Sequence, residues 1–364
     1  MAALIYEASS RLKLSSTLAS KRLRQLFFRE PVASASGGVF KRFPIRIKRR
    51  AILARVPNAT FSPANSDEVL RVVSVSLGSA SRDSLAHATI LGRQFSIERR
   101  GTNGDLNIAA NLISELDGHV AAIGLGGIDL HLVAGSRRYQ MRDGARLAAC
   151  ARSTPVVDGG GLKDSLERET IRFLQIQNIL DFQNKKVLLT CAVDRFGMAE
   201  EFAKAGANCT FGDFLFILNL PIRLTKLSQI RQLGALILPI ACKLPFKMLY
   251  PTGEKQTEIK SNGAVDKWFG ENEIIAGDFL LIRRYLPEKL SGNIIITNTV
   301  TKDDIVLLKS RGLSTLITTT PEFDGRSFGT NVMEGVFAAL GARTPGEYSA
   351  LLKQLDWKPR VIHF

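Results

Sequence analysis

Cysteine, histidine and tryptophan are scarce in this chain. Four cysteines (Cys150, Cys191, Cys209, Cys242) are scattered through 364 residues, with no CxxC pair and no histidine beside them. A disulfide framework needs an even, closely spaced set, and a zinc centre needs several nitrogen or sulfur ligands brought together. Only four histidines are present, one of them next to last, so no metal site is expected and the cysteines read as core thiols. No run of 18 uncharged apolar residues exists either, which excludes a spanning helix by the hydropathy criterion. Acids are nearly missing from one region. Residues 1–66 hold 13 Lys/Arg against Glu7 and Glu30, so +11 of the +15 net charge sits there and the remainder carries only +4. A body so nearly balanced has no general polyanion-binding field, and no nucleic-acid partner is expected.

What that acid-poor leader does contain is Ser, Ala and basic patches such as Lys21-Arg22-Leu23-Arg24 and Lys48-Arg49-Arg50. Such a composition suits a transit peptide, and Arg11 and Lys13 interrupt the apolar start that a secretory signal requires. Ser/Ala richness without a periodic Arg face favours a chloroplast or other plastid over the mitochondrion. Residues 1–60 therefore read as a disordered transit peptide, with cleavage between about residues 45 and 66. A basic arm that stays attached and binds RNA or membrane is the alternative.

From Asp67 onward, short β-rich runs alternate with helical patterns, which predicts an α/β fold. Residues 67–160 form an N-terminal α/β domain, with strands over Val69–Leu77 and Val120–Leu125 and a hairpin turning at Leu91-Gly92-Arg93. A long helix over Leu162–Leu180, within a 161–182 connector, carries Leu162, Leu166, Phe173, Ile176 and Leu180 on one stripe. Its Glu167, Arg168, Glu169 and Arg172 read as a solvated face. Residues 183–345 alternate five buried-type strands (Lys186–Val193, Asn208–Phe211, Glu273–Ala276, Asn293–Ile296 and Thr315–Thr319) with helices and predict a Rossmann-like, doubly wound parallel-sheet domain, followed by a tail at 346–364. The basic stretch Arg223–Lys247 is interrupted by Pro239 and Pro245, which excludes one long amphipathic helix. It reads as a crossover; a lid, or a peripheral contact with a membrane surface, is the alternative.

In doubly wound sheets, ligands bind beyond the carboxyl ends of the strands. The turn Asp194-Arg195-Phe196-Gly197-Met198 occupies the place of a dinucleotide loop, with one glycine where the usual fingerprint has three. Its helix-start amides could hold a phosphate, with Arg195 adding a fixed charge. Asp213, at the next strand end, could accept from a ribose hydroxyl and would repel a 2′-phosphate, which favours NAD over NADP. Asp278 and Asn298 fall on the same edge and complete the expected cofactor site. The loop ending at Arg326, Thr330 and Asn331, with the glycine turns at Gly126-Gly127 and Gly160-Gly161, forms the expected site for a small anionic substrate. Lys163 and Arg326 would clamp the anion, and Lys163 with Asp164 would form a proton-transfer pair. Helix caps and turn formers explain each of these residues singly.

Several strings carry a family resemblance: GLGGIDL (124–130), PVVDGGGL (155–162), AVDRFGMAE (192–200), LYPTGEKQ (249–256), AGDFLLIRR (276–284) and TTTPEFDGRSFGTNVME (318–334). Over about Val69–Leu340 the chain resembles the bacterial and cyanobacterial family labelled quinate/shikimate 5-dehydrogenase. That resemblance implies a Rossmann fold, a nicotinamide cofactor (NAD or NADP) and hydride transfer at a ring hydroxyl. Well-studied shikimate dehydrogenases use a Lys–Asp pair and a glycine-rich loop; the pair has no matching motif here, and Asp194–Gly197 replaces the loop. A transferase using S-adenosylmethionine, or a non-catalytic Rossmann-fold binding or regulatory protein of the plastid, are the alternatives.

Overall fold

The computed structural model describes residues 68–134, 137–218, 220–245, 263–320, 322–323, 326–327 and 329–364. The leader and the LYPTGEKQ string lie outside them. Two parallel-dominated sheets organise the body. The first is built from β1 (Leu70–Ser76), β2 (Ser84–Ile90), β3 (Arg93–Gly101), β4 (Ala122–Gly126) and β7 (Val156–Val157), in the order β2-β3-β1-β4-β7. Only the β2–β3 pair is antiparallel; it turns on Leu91 and Gly92, both at positive φ. Between β4 and β7 lie the hairpin β5 (His131–Ala134)–β6 (Arg137–Gln140) and a short helix, α2 (Arg142–Ala148). Strand β1 shows the period of two expected of a sheet covered on both faces. Val73 and Val75 meet Ile113 and Leu116 of α1 (Leu106–Leu116), while Val72 faces the other layer. Asp105 caps α1 by accepting from the Asn107 and Ile108 amides.

The long connector is α3 (Gly160–Ile176). Its Leu162 and Leu166 belong to the first sheet's core, and Ile171 and Leu174 to the second's, so one helix pins both halves. The face read as solvated is packed instead. Arg168 bonds Asp164, Glu200 and Glu201, Arg172 bonds Glu169 and Glu201, and Glu167 is fully buried. Helix α4 (Phe196–Lys204) supplies Glu200 and Glu201 to the two arginines, Arg195 just before it meets Glu167, and Glu169 pairs with Arg172 along α3 itself.

The second sheet runs β15-β12-β11-β10-β8-β9, from β8 (Lys186–Leu189), β9 (Asn208–Phe211), β10 (Ile274–Gly277), β11 (Ile294–Thr297), β12 (Thr315–Thr318) and β15 (Arg360–His363). All pairs are parallel except β12–β15. In order along the chain its parallel strands read 2-1-3-4-5, a doubly wound arrangement whose switch point lies between β8 and β10. Helices α4, α5 (Asp213–Leu218), α6 (Leu227–Ala241), α7 (Gly263–Glu271), α8 (Phe279–Arg284) and α9 (Lys302–Ser310) intervene. Pro239 lies inside α6, in its last turn, so the proline expected to break this segment is accommodated near the helix end.

Three boundaries differ from those read in the sequence. The buried strand expected to reach Val193 stops at Leu189, because residues 190–195 form the turn. After the small hairpin β13 (Glu322–Phe323)–β14 (Arg326–Ser327), helix α10 (Thr330–Ala339) packs on β1 and β4 of the first sheet. Periodicity shows that α10 has an apolar face but not which sheet that face meets. The residues read as a tail form α11 (Pro345–Gln354), which packs on α3, and the edge strand β15. Among the described residues no helix is long and apolar enough to cross a membrane.

Candidate functional site

The expected nucleotide turn is closed by its own side chains. Asp213 is 2% exposed, and its two carboxylate oxygens accept from the Ala192 amide (3.1 Å) and the Val193 amide (2.9 Å). The acid assigned to a ribose therefore braces the β8–α4 turn. Burial pushes Asp213 up to about 6, against the opposing pull of those amides. Gly197 has a packing role. A Cβ there would collide with the Asp164 carboxylate, so the glycine lets α3 and α4 approach closely. Phe196 and Met198 are core residues.

The switch point between β8 and β10 is bridged as well. Arg195, 3% exposed, bonds the buried Glu167 of α3 and reaches Asp278 Oδ2 at 3.0 Å. Asp278 caps α8 through the Leu280 and Leu281 amides and takes a bond from Asn298 Nδ2 at 3.1 Å, while Asn298 Oδ1 accepts from the Phe279 amide. Asp278 and Asn298, expected at a cofactor, thus complete a network with Arg195.

The glycine turn before α3 is likewise used internally. Gly159 sits at φ +88, where a side chain is strained, and a Cβ there would also strike the Asn331 amide. Asp158 Oδ1 accepts from the Gly160 amide. Gly161 faces Glu334, and Asn331 donates to Ser74 of β1 at 2.8 Å. Gly161, Thr330 and Asn331 accordingly dock α3 and α10 together, while Gly160 is held by Asp158. Gly126 lies tightly against Ser76, and Gly127 forms the exposed turn after β4. Arg326 pairs with Phe323 through the backbone of the β13–β14 hairpin, and its side chain lies outside the described residues.

Lys163 stands apart from these. It does not pair with Asp164, which turns to Arg168. Neighbours on a helix point in different directions, and Lys163 instead reaches Asp194 Oδ1 at 3.2 Å, with both side chains about one-fifth exposed. Residues 163 and 167 are one turn apart on α3, so they meet the consecutive residues Asp194 and Arg195 with opposite charge order. Asp129, after β4, lies within electrostatic range of this pair, and Asp158, after β7, within range of Asp129. Burial, with Asp194 and Asp158 nearby, pushes the Asp129 carboxyl above its ordinary value against the pull of Lys163. Burial also pushes Asp194 upward, but the Lys163 ammonium outweighs it and holds that carboxyl low. Lys163 itself stays above its ordinary value because the two acids outweigh its burial. One ammonium thus stands between two carboxyls driven in opposite directions, as separate acid and base duties require.

Sequence reasoning assigned no role to Asp158 or Glu167 in the site, and at the β4 turn it chose the glycines over Asp129. The strand-end rule, applied to the first sheet as well as the second, would have singled out Asp129 and Asp158. The i, i+4 spacing of Lys163 and Glu167 marks the working face of α3.

The model of a family described as a domain of unknown function (DUF8754) matches residues 161–364, and that of a second domain of unknown function (DUF8753) matches residues 71–158. No curated protein matches the sequence. Solved structures similar to this chain include L-tryptophan dehydrogenase from Nostoc punctiforme, at 9% identity and a TM-score of 0.34, covering 80% of each chain. Shikimate 5-dehydrogenase from Thermus thermophilus, in complex with shikimate, is 10% identical with a TM-score of 0.34, covering 79% of this chain and 100% of that one. The substrate-binding protein of a sugar ABC transport system from Bordetella parapertussis gives 10% and 0.34, covering 82% and 90%. At these values the likeness assigns neither a site nor a substrate.

Proposed function

We propose for this chain, which belongs to the DUF8754 family, a function read from its site: proton transfer at a hydroxyl or carbonyl of a small hydroxylated substrate held between the two sheets. The observation that carries this reading is Lys163 beside Asp194, with Asp129 driven the other way. Lys163, kept charged, holds the substrate oxygen and stabilises negative charge developing on it. Asp129, the carboxyl with the raised value, carries the proton. Asp194 stays ionised and keeps the lysine charged and aimed.

The finer form of this reading is an NAD(P)-linked oxidoreductase of quinate/shikimate dehydrogenase-like type, acting on a small anionic hydroxy acid. A nicotinamide cofactor bound to such an enzyme would accept the hydride that leaves with the proton. The residues at the β8–α4 turn do not fit a dinucleotide, because Asp213 is bonded to Ala192 and Val193 and Gly197 is closed by Asp164. No step is therefore routed through a cofactor, and the ribose contact expected for S-adenosylmethionine meets the same obstacle. The self-bonded turn also favours one other reading, a non-catalytic α/β binding protein.

The test is an assay of the full chain on a panel of hydroxy acids and polyols, quinate and shikimate included, with NAD and with NADP. The enzyme reading expects turnover that falls by roughly 10²–10⁴-fold in Lys163→Met. Turnover indifferent to that substitution, or saturable ligand binding with no turnover, would sink it in favour of the binding protein. Import into a plastid is proposed on the leader's composition alone, and a fluorescent fusion that stays cytosolic would refute it.

A further inference from the structure

Beneath the Lys163 site, two carboxyls share the first turn of α3. Asp158 bonds the Gly160 amide through Oδ1 (2.8 Å), and its Oδ2 accepts from the Leu130 amide (2.5 Å) and, more distantly, from His131. It therefore ties the loop carrying Asp129 to the helix carrying Lys163. Glu334 of α10 approaches the same turn from the other side. It is 5% exposed; its Oε1 accepts from the Tyr348 hydroxyl of α11 at 2.8 Å, and its Oε2 is buried without a hydrogen-bond partner. A Cβ on Gly161 would fall 2.7 Å from Glu334 Oε1, so α3 and this carboxyl are in direct contact.

We propose that the Asp158–Glu334 pair is a proton-controlled latch that regulates the Lys163 site. The proposal rests on Lys163 being the site for what is regulated, whereas the latch itself is tested without turnover. Its physical basis is the cost of ionising a buried carboxyl that has one oxygen unpaired and a second acid nearby. Burial first, and Asp158 second, raise Glu334 to about 7, against the opposing Tyr348 hydroxyl and the Gly159 and Leu162 amides. The charged or titratable groups facing it among the described residues are Asp158 from the β7–α3 turn and Tyr348 from α11. Arg343 acts on it through Tyr348. Strands β1 and β4 face α10 with Val72, Ser74, Ala122 and Gly124, none of which titrates. While Glu334 is neutral it does not repel Asp158, whose carboxyl holds both loops. Once Glu334 ionises, the two carboxylates repel, and the contact that yields is the one linking Asp129 to Lys163.

The sign follows from the raised value. The folded state keeps a proton that the opened state gives up at an ordinary pH for glutamate, so closure is strongest at low pH and weakens up to about pH 7. Hydrogen exchange on the full chain, corrected for intrinsic rates, reads this at the amides of Leu130–His131 and Gly160–Leu162. In the unaltered protein, opening should rise by up to about tenfold per pH unit between about pH 5 and 7, then level off. Glu334→Gln should flatten that rise. Tyr348→Phe should move the levelling-off to higher pH, because the hydroxyl that favours the carboxylate is gone. A flat profile in the unaltered protein, or the same slope in Glu334→Gln, would overturn the latch. Should Glu334→Gln fail to fold, an unmoved levelling-off in Tyr348→Phe overturns it instead. Absent turnover on every substrate would defeat the enzyme reading and leave this result standing.

Discussion

The two turns that meet on α3 are built from similar residues and do opposite things. At the β8–α4 turn Asp213 is held by two backbone amides, Arg195 by Glu167 and Asp278, and Asp278 by Asn298. Beside it on α3, Lys163 lies between the influence of Asp194 and that of Asp129 at the β4 end, and the proton affinities of these two carboxyls are pulled apart. A polar group with all its partners supplied stabilises a fold; a group in electrostatic conflict remains available for chemistry. The contrast moves the functional centre from the turn that looks like a nucleotide loop to the face of α3 beside it.

Breaking the satisfied turn should cost stability, beginning with its most buried charge. Arg195→Met leaves Glu167 buried and unpaired and should lower unfolding free energy by about 3–5 kcal/mol in urea titrations, with Glu167→Leu added to it restoring much of the loss. A single substitution that cost under about 1 kcal/mol would show this pair to be solvated, against its burial. Asp213→Ala strands the Ala192 and Val193 amides, and a loss of about 2–3 kcal/mol is expected by the same measurement. Asp213 also has a pH signature. Its folded-state value is raised to about 6, so its contribution is fully present below about pH 4 and is lost as pH rises towards 6. Asp213→Asn should remove that part of the pH dependence.

The crowded site should respond in the opposite way. Lys163→Met removes a pair whose side chains keep about one-fifth of their surface, against almost none for Arg195 and Glu167, so its stability cost should be clearly smaller than that of Arg195→Met. A loss as large as that of Arg195→Met would put Lys163 among the structural pairs and erase the contrast.

Much of the fold was legible in the sequence. The runs at 208–211, 274–277, 294–297 and 315–318 are strands within a residue of where β-branched and apolar clusters placed them, because a strand buried on both faces reads as a continuous apolar run. Asp105 and Thr301 announce the helices they cap. Partnership was not legible. Lys163 has acids both beside it in sequence and across the turn, and only the packing of α3 on α4 decides for Asp194. Gly197 looks like the remnant of a phosphate loop, and only the approach of Asp164 shows that it serves helix packing. The destination of α10 was hidden for the same reason, since an apolar stripe does not name its partner.

The most direct test of the account is the titration of the Lys163 side chain in ¹⁵N-lysine-labelled full chain, assigned with Lys163→Met and repeated in Asp194→Asn. The account predicts that the Lys163 amine titrates above the ordinary lysine value of about 10.4, and that the midpoint falls when Asp194 loses its charge. A midpoint at or below the ordinary value, unmoved by Asp194→Asn, would contradict it.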